Sequence, residues 1–424
     1  MYTSRSARGA KAAACFVFAA ALLPAAICGA DAQPLTLAEA ERLALRAQPT
    51  LAAFERAADA SREAAIAERQ LPDPRLRAGI VNLPVTTGDA FHFDRDDQTM
   101  VAIGIAQEMV RQDKREASAL RQEAMADASL AERDAEMRRI RRDVALAWLD
   151  AAAATQRREL LERMTAELVT ERDVVKARLA AAGAEVREVF VIDAALAATG
   201  DQRESARRDE RRARAMLARW IGTDAERPLA TLPAEADGAS DELAQRLRIP
   251  ATRDVHPQVA EARALELATR QDVKRAALET ERDWSWEVSY GKRFAGRSDM
   301  LTVQVDVPLS WDAPNRQNRR TAEKRALADR AQLLLVDRER QLEAERQAAL
   351  IDWETAVARD DVQTRQLLPA TDARLETSIA AFRTGRVPYV VVAEARRAAI
   401  DARLQQLTAR TDLAKAAVAL RYFE

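Results

Sequence analysis

Cysteine is nearly absent from this chain: both copies, Cys15 and Cys28, stand near the N-terminus, and none follows. Histidine is as scarce, with His92 and His256 each alone. That pattern argues against a zinc-type site and against a Cys/His catalytic pair. Aromatic residues make up only 4% of the chain, too few for the core of an ordinary globular enzyme. The formal net charge is −1, so no bulk electrostatic pull draws the chain toward nucleic acid. Between positions 111 and 182 there is neither glycine nor proline. What is present is Ala, Leu, Arg and Glu, the vocabulary of long helices packed along small-residue seams. With 424 residues and 48% hydrophobic content the chain can still bury a sizeable core. Asp and Glu recur with Arg at helical spacing, the mark of solvated helix faces. No residue constellation reads as catalytic or cofactor-binding, so the chain is read as a non-enzyme.

Residues 1–32 read as a secretory signal. Arg5, Arg8 and Lys11 form a positive segment, 12–27 is apolar, and Ala30-Asp31-Ala32 offers a small-x-small cleavage site that leaves Gln33 first. The rival reading, lipidation at Cys28, is disfavoured by Ile27, which stands where a small residue is needed. The apolar run is short for a retained membrane helix.

Beyond the signal, a helix is expected over 35–70, with Thr36 and Glu39 in a capping-box arrangement and Pro49 kinking or interrupting it. Strands follow at 75–83 and 99–107, separated by a polar loop that carries His92, Asp94, Asp96 and Asp97. A long helix over 111–182 would span about 110 Å. It ends at Gly183, and a helix of half that length runs over 185–220. The glycine- and proline-containing stretch 221–254 reads as a linker or small subdomain. The order then recurs: a helix to about 282, strands at 286–293 and 300–309, a long helix interrupted by Pro369, a break at Gly385, and a last helix. Pro49 matches Pro257, Met100 matches Met300, Trp148 matches Trp353, and Gly183 matches Gly385. This is an internal duplication with a period of roughly 200 residues. The domains are therefore 33–221, a linker at 222–254, and 255–424.

The fourth strand shows the clearest alternation, with Leu301, Val303, Val305, Val307 and Leu309 against Thr302, Gln304, Asp306 and Pro308. Strands of about nine residues suit a tilted bilayer crossing. A membrane sheet must close, and four strands cannot enclose anything, so copies must share one barrel of eight or twelve strands. Each long helix equals two shorter ones in length. The fold class is thus mainly α with a small β part: long antiparallel helical hairpins form a tall cylinder beneath a short β-barrel. The Trp286 and Tyr290 face fits a lipid-interface aromatic belt.

The segments LTLAEAERLALRAQPTLAA at 35–53, LPDPRL at 71–76 and FRTGRVPYVVVAEARRA at 382–398, in this order and with the duplication, resemble the TolC-type outer-membrane factor family over nearly the whole mature chain. The resemblance implies a homotrimer with a twelve-stranded transmembrane β-barrel, an α-barrel tunnel in the periplasm and an equatorial region at 222–254. It also implies two partners, a periplasmic adaptor (membrane fusion) protein and an inner-membrane pump. NLPV at 82–85, DRDDQTM at 94–100 and QEMVRQDKR at 107–115 are similar to the heavy-metal efflux branch, which works with resistance-nodulation-division pumps. A drug-efflux or type I secretion duct is the alternative. In the family the hairpin tips form the tunnel entrance and meet the adaptor, which carries over to Gly183, Val186, Gly385, Val387 and Pro388. Both glycines are also expected to end their helices in left-handed geometry. Glu394 matches an acidic constriction position, with Asp193 its nearest counterpart in the first half. The chain departs from the family at Val391 and Val189, where Asp is usual.

A different class remains open, a periplasmic coiled-coil adaptor or scaffold whose strands make a small soluble sheet. The acidic loop reads as a polar loop rather than a cation site.

Overall fold

The computed structural model describes residues 33–181, 183, 185–232, 238–249 and 256–424. The expected signal at 1–32, with Cys28, lies outside the described residues, as do Pro233, Pro250 and Asp254 of the expected linker.

Helix α1 (Leu37–Ala47) is capped by the Thr36 hydroxyl, which accepts from the Glu39 N–H at 3.3 Å. Pro49 breaks the expected first helix outright. It holds Gln48 extended, and α2 (Pro49–Glu68) restarts with the proline in its first turn. Prolines at 72 and 74 stop α2, and the chain enters β1 (Arg75–Val81) and then β2 (Met100–Met109). Helix α3 (Gln112–Ala180) follows; its 69 residues span about 104 Å. The half-length return is α4 (Val186–Ile221). The stretch after it holds a 3-10 turn at Gly222–Glu226 and the short α5 (Gly238–Arg248).

The chain then climbs again through α6 (Pro257–Leu278), β3 (Trp284–Arg293) and β4 (Met300–Asp306). It descends through α7 (Gln317–Val362) and α8 (Leu368–Arg383), and rises through α9 (Tyr389–Arg421). A π-helical turn at Gln363–Leu367 joins α7 to α8. Pro369 explains it: the ring has no N–H for the carbonyl four residues back and would clash with it. One wider turn absorbs the conflict without ending the helix.

Strand ends differ from the expectation for local reasons. β1 stops at Val81 rather than 83 because Asn82 turns with φ 58°. β4 stops at Asp306 rather than 309, shortly before Pro308, which cannot donate to a ladder. β2 runs on to Met109, and β3 begins earlier, at Trp284.

The core at the waist forms where Leu35 bridges Leu229. The Leu35 N–H donates to the Pro228 carbonyl at 2.7 Å, and the Leu35 carbonyl accepts from Ala230 N–H at 3.1 Å and from the buried Trp148 indole at 3.1 Å. Around it pack Ala40, Ala44, Val144, Leu149 and Leu217, small and medium side chains that let helix axes approach closely. Trp353 fills an equivalent place in a second cluster with Leu413 and Leu420.

His256 shows how the waist is sealed. Its Nδ1 accepts the Gln258 N–H at 3.3 Å, capping α6, while its Nε2 faces the Tyr422 carbonyl at 3.0 Å. Both contacts suit a neutral ring with the proton on Nε2. Burial is the main cause that lowers its pKa to about 4; the Tyr422 carbonyl opposes the shift, and Arg138 and Arg338 add to it. An unfolded histidine protonates first, so the stability present above pH 6.5 is lost as pH falls toward the folded value. Denaturation midpoints of the wild type are expected to fall between pH 7 and pH 5, and His256→Gln is expected to flatten that slope.

Candidate functional site

The four strands form one antiparallel sheet in the order β1-β2-β3-β4, and its register sorts side chains by chemistry. On one face the cross-strand rows read Leu76–Ile105–Val288–Val303, Ala78–Ile103–Tyr290–Leu301 and Gln107–Trp286–Val305. Nothing among the described residues covers this face: Leu301 is 69% exposed, Val303 65% and Val305 58%. On the other face the rows read Arg77–Gly104–Ser289–Thr302, Arg75–Ala106–Glu287–Gln304 and Gly79–Ala102–Gly291–Met300. Arg77 donates to Glu287 there at 2.5 Å. The centre of the polar face is built of small residues because strands approach closely. A Cβ on Gly104 would sit 2.6 Å from that of Ser289, inside any real contact distance. Among the described residues β1 and β4 each keep one edge without a partner strand.

At the loop end of the sheet, Arg297 gathers the acidic loop. Its guanidinium donates to the Asp94 and Asp96 carbonyls at 3.0 Å each and pairs with the Asp97 carboxylate at 2.7 Å, while Phe93 packs edge-on against Phe294. The loop is thereby tied to its neighbour by a cation of the protein itself. Among the described residues no group of three His, Cys, Asp or Glu is arranged to hold a metal ion.

At the far end the two hairpins meet. Gly385 ends α8 in left-handed geometry with φ 74°: its N–H donates to the Phe382 carbonyl at 3.0 Å and that of Arg386 to the Ala381 carbonyl at 2.9 Å. The N–H of Gly183 closes the end of α3 by donating to the Arg178 carbonyl at 2.8 Å. That bond needs only an N–H at this position, which any residue except proline supplies. Gly183, Val186, Gly385 and Pro388 are exposed, while Val387 is half-buried against Phe382 and Tyr389. Asp193 and Glu394 are both exposed. Glu394 lines a groove of about 320 Å³ between α4 and α9, walled by Leu168, Val191, Val390 and Ile400, and Asp193 does not. Val189, where acid is usual in the resembled family, packs against the apolar tip cluster.

Sequence reasoning missed the polar joint beneath that cluster. Tyr389, 1% exposed, donates its backbone N–H to Glu188 at 3.1 Å and its hydroxyl to Glu171 at 3.1 Å. Arg396 pairs with the same Glu171 and donates to Glu167 at 2.7 Å. Three helices, α3, α4 and α9, are joined at one point. Burial, then the Glu171 carboxylate, push the Tyr389 hydroxyl pKa well up, so it stays a donor. Arg178 closes the neighbouring helix, donating to the Phe382 carbonyl at 3.0 Å with its guanidinium 4.1 Å from that ring's centre. A signal existed in the spacing: Glu167 and Glu171 share a face of α3, as Tyr389 and Arg396 do of α9. The general abundance of Arg and Glu hid it. Arg396→Ala is expected to cost about 3 kcal/mol by stranding two carboxylates, and Tyr389→Phe about 1 kcal/mol. Denaturant titration measures both, and amide exchange should rise near the tips and not in the sheet.

No family model matches the chain, and no curated protein matches it. Solved structures do, each over 91% of this chain. The outer-membrane channel OprN aligns with a TM-score of 0.75 and 18% identity over 89% of its own chain. The outer membrane protein VceC from Vibrio cholerae aligns with 0.73 and 15% over 94%. CusC, whose structures describe folding and transmembrane channel formation, aligns with 0.69 and 14% over 90%. Among the described residues no helix is long and apolar enough to cross a membrane. At these identities it is the fold that is shared, and this chain has the fold of those outer-membrane channel proteins.

Proposed function

We propose that three copies of this chain form a passive exit duct in the outer membrane, of the TolC type, for substrate delivered by an inner-membrane pump. The observation that carries this reading is the four-stranded sheet with one uncovered apolar face, one polar face and two open edges. An apolar face of this kind suits lipid. An edge in lipid has no water to satisfy it, so β1 of one copy must meet β4 of the next. Three copies give a twelve-stranded barrel with the Arg77–Glu287 face inward. The small residues at the centre of that face allow the sheet to curve toward it.

The helices fit beneath. α3 descends the full height and α4 returns halfway; residues 317–383 descend again and α9 returns. The reading takes 33–221 and 255–424 as duplicated halves joined by an equatorial segment at 222–254, behind a signal at 1–32. A tunnel of paired helices then reaches into the periplasm. Its tips, with Gly183, Val186, Gly385, Val387 and Pro388, meet a periplasmic adaptor. Glu394, and less directly Asp193, becomes a ring of three carboxylates that favours cations. We assign heavy-metal cations as the substrate class, on the resemblance of 82–85, 94–100 and 107–115 to that branch. The pump partner is then of the resistance-nodulation-division type. A soluble periplasmic adaptor would leave Leu301, Val303 and Val305 in water, which opposes that reading.

Two experiments test this. In outer-membrane fractions an SDS-labile trimer is expected on crosslinking. Val305→Asp, on the lipid face, should impair assembly by about 2 kcal/mol per chain, and Gln304→Asp, on the pore face, should not; equal assembly of both overturns the assignment of faces. A deletion strain should become sensitive to ions such as cobalt, zinc, cadmium, copper or silver. Sensitivity confined to organic drugs would overturn the substrate class while leaving the duct intact.

A further inference from the structure

At the waist, α1, α3 and α9 border an open pocket of about 360 Å³ whose lining includes Arg138, Arg141, Arg142, Arg421, Glu41 and Glu424. Four arginines therefore line it beside Glu41 and Glu424. Local sequence makes the cluster: Arg138, Arg141 and Arg142 stand at i, i+3 and i+4 on α3, one helical face, where like charges repel. Arg421 closes α9, where the helix carbonyls favour a cation.

The charges present do not balance it. Arg142 bonds Asp143 at 3.0 Å and lies 4.7 Å over the Tyr422 ring, so it is partly compensated. Arg138 donates to the neutral Tyr422 carbonyl at 3.1 Å. Arg141 and Arg421 have no hydrogen-bond or ion-pair partner among the described residues. Glu424 lies 3.5 Å from Arg246 and still acts on Arg138, and Glu41 faces Arg141 and Arg421. Burial first, then Arg141, lower the Arg138 pKa. Burial also raises that of Glu41 in spite of Arg421 and Arg141. Burial leads both shifts, while Arg141 and Arg421 are themselves exposed.

Guanidinium forks on two helices, converging on one cavity, match the oxygen geometry of phosphate groups. The volume is larger than a single phosphate requires and lies at the low end of small-ligand pockets. We propose that this cavity is a binding site for a diphosphate-class anion, held by Arg138, Arg141 and Arg421 against the wall formed by Arg142 and Tyr422. The proposal is independent of the duct reading, since it uses only charges and packing within one chain.

Calorimetric titration of the purified, assembled protein with sodium pyrophosphate at low ionic strength tests it. One anion per chain is expected to bind, more weakly as salt rises. Arg141→Gln and Arg421→Gln should each weaken binding by about tenfold, as loss of one charge-assisted hydrogen bond does. Arg141→Lys should weaken it less, and Arg208→Gln on α4, away from the cavity, should leave it unchanged. Circular dichroism and elution volume check that the variants fold, and the wild-type titration stands whether or not they do. No binding by the wild type, or binding unchanged in folded Arg141→Gln and Arg421→Gln proteins, overturns the proposal.

Discussion

The edges of one small sheet constrain everything else in this molecule. Four strands satisfy each other's backbone groups across three ladders, and the outer edges of β1 and β4 remain open. In water such edges are tolerable, but in lipid each unmet N–H or carbonyl costs several kcal/mol. The apolar face makes water the unfavourable medium, and the open edges make lipid unfavourable for a single copy. In the proposed assembly a closed barrel meets both demands at once, and the long helices form a wall hung from it.

The wall is held by unlike means along its length. At the waist, alanines and two tryptophans permit close packing, and Leu35 is fixed by three hydrogen bonds to the chain around it. At the tips a polar joint takes over, with Tyr389 and Arg396 reaching two glutamates on α3 and the Tyr389 N–H meeting Glu188 on α4. Apolar packing fixes the waist by shape, whereas the tips are also fixed by the direction of buried hydrogen bonds.

Much of the fold was legible in sequence because it rests on local signals. The absence of Gly and Pro over 111–182 marks α3, and period-two alternation marks β4. Pro49 and Pro369 each leave a defined trace, a chain break and a π-helical turn. What stayed hidden depends on which residues meet. Gly385 and Gly183 close their helices on different carbonyls, Phe382 three residues back and Arg178 five residues back, which composition does not reveal. The Tyr389–Glu171–Arg396 joint uses residue types so common here that no single one stands out. The cavity of guanidiniums at the waist joins α3 to the end of α9, nearly three hundred positions away in sequence, so only packing brings it together.

The central claim is that β1 of one copy pairs with β4 of another. Residues 33–424 contain no cysteine, so paired cysteines can be introduced without background. Within one chain these strands lie at opposite sides of the sheet, about 14 Å apart at the usual strand spacing, beyond the reach of a disulfide. Oxidative crosslinking of cysteine pairs scanned along β1 and β4 should give covalent dimers and trimers at one register, with no species larger than a trimer, in the outer-membrane fraction. Monomers at every register, or a soluble protein without crosslinks, would contradict the account.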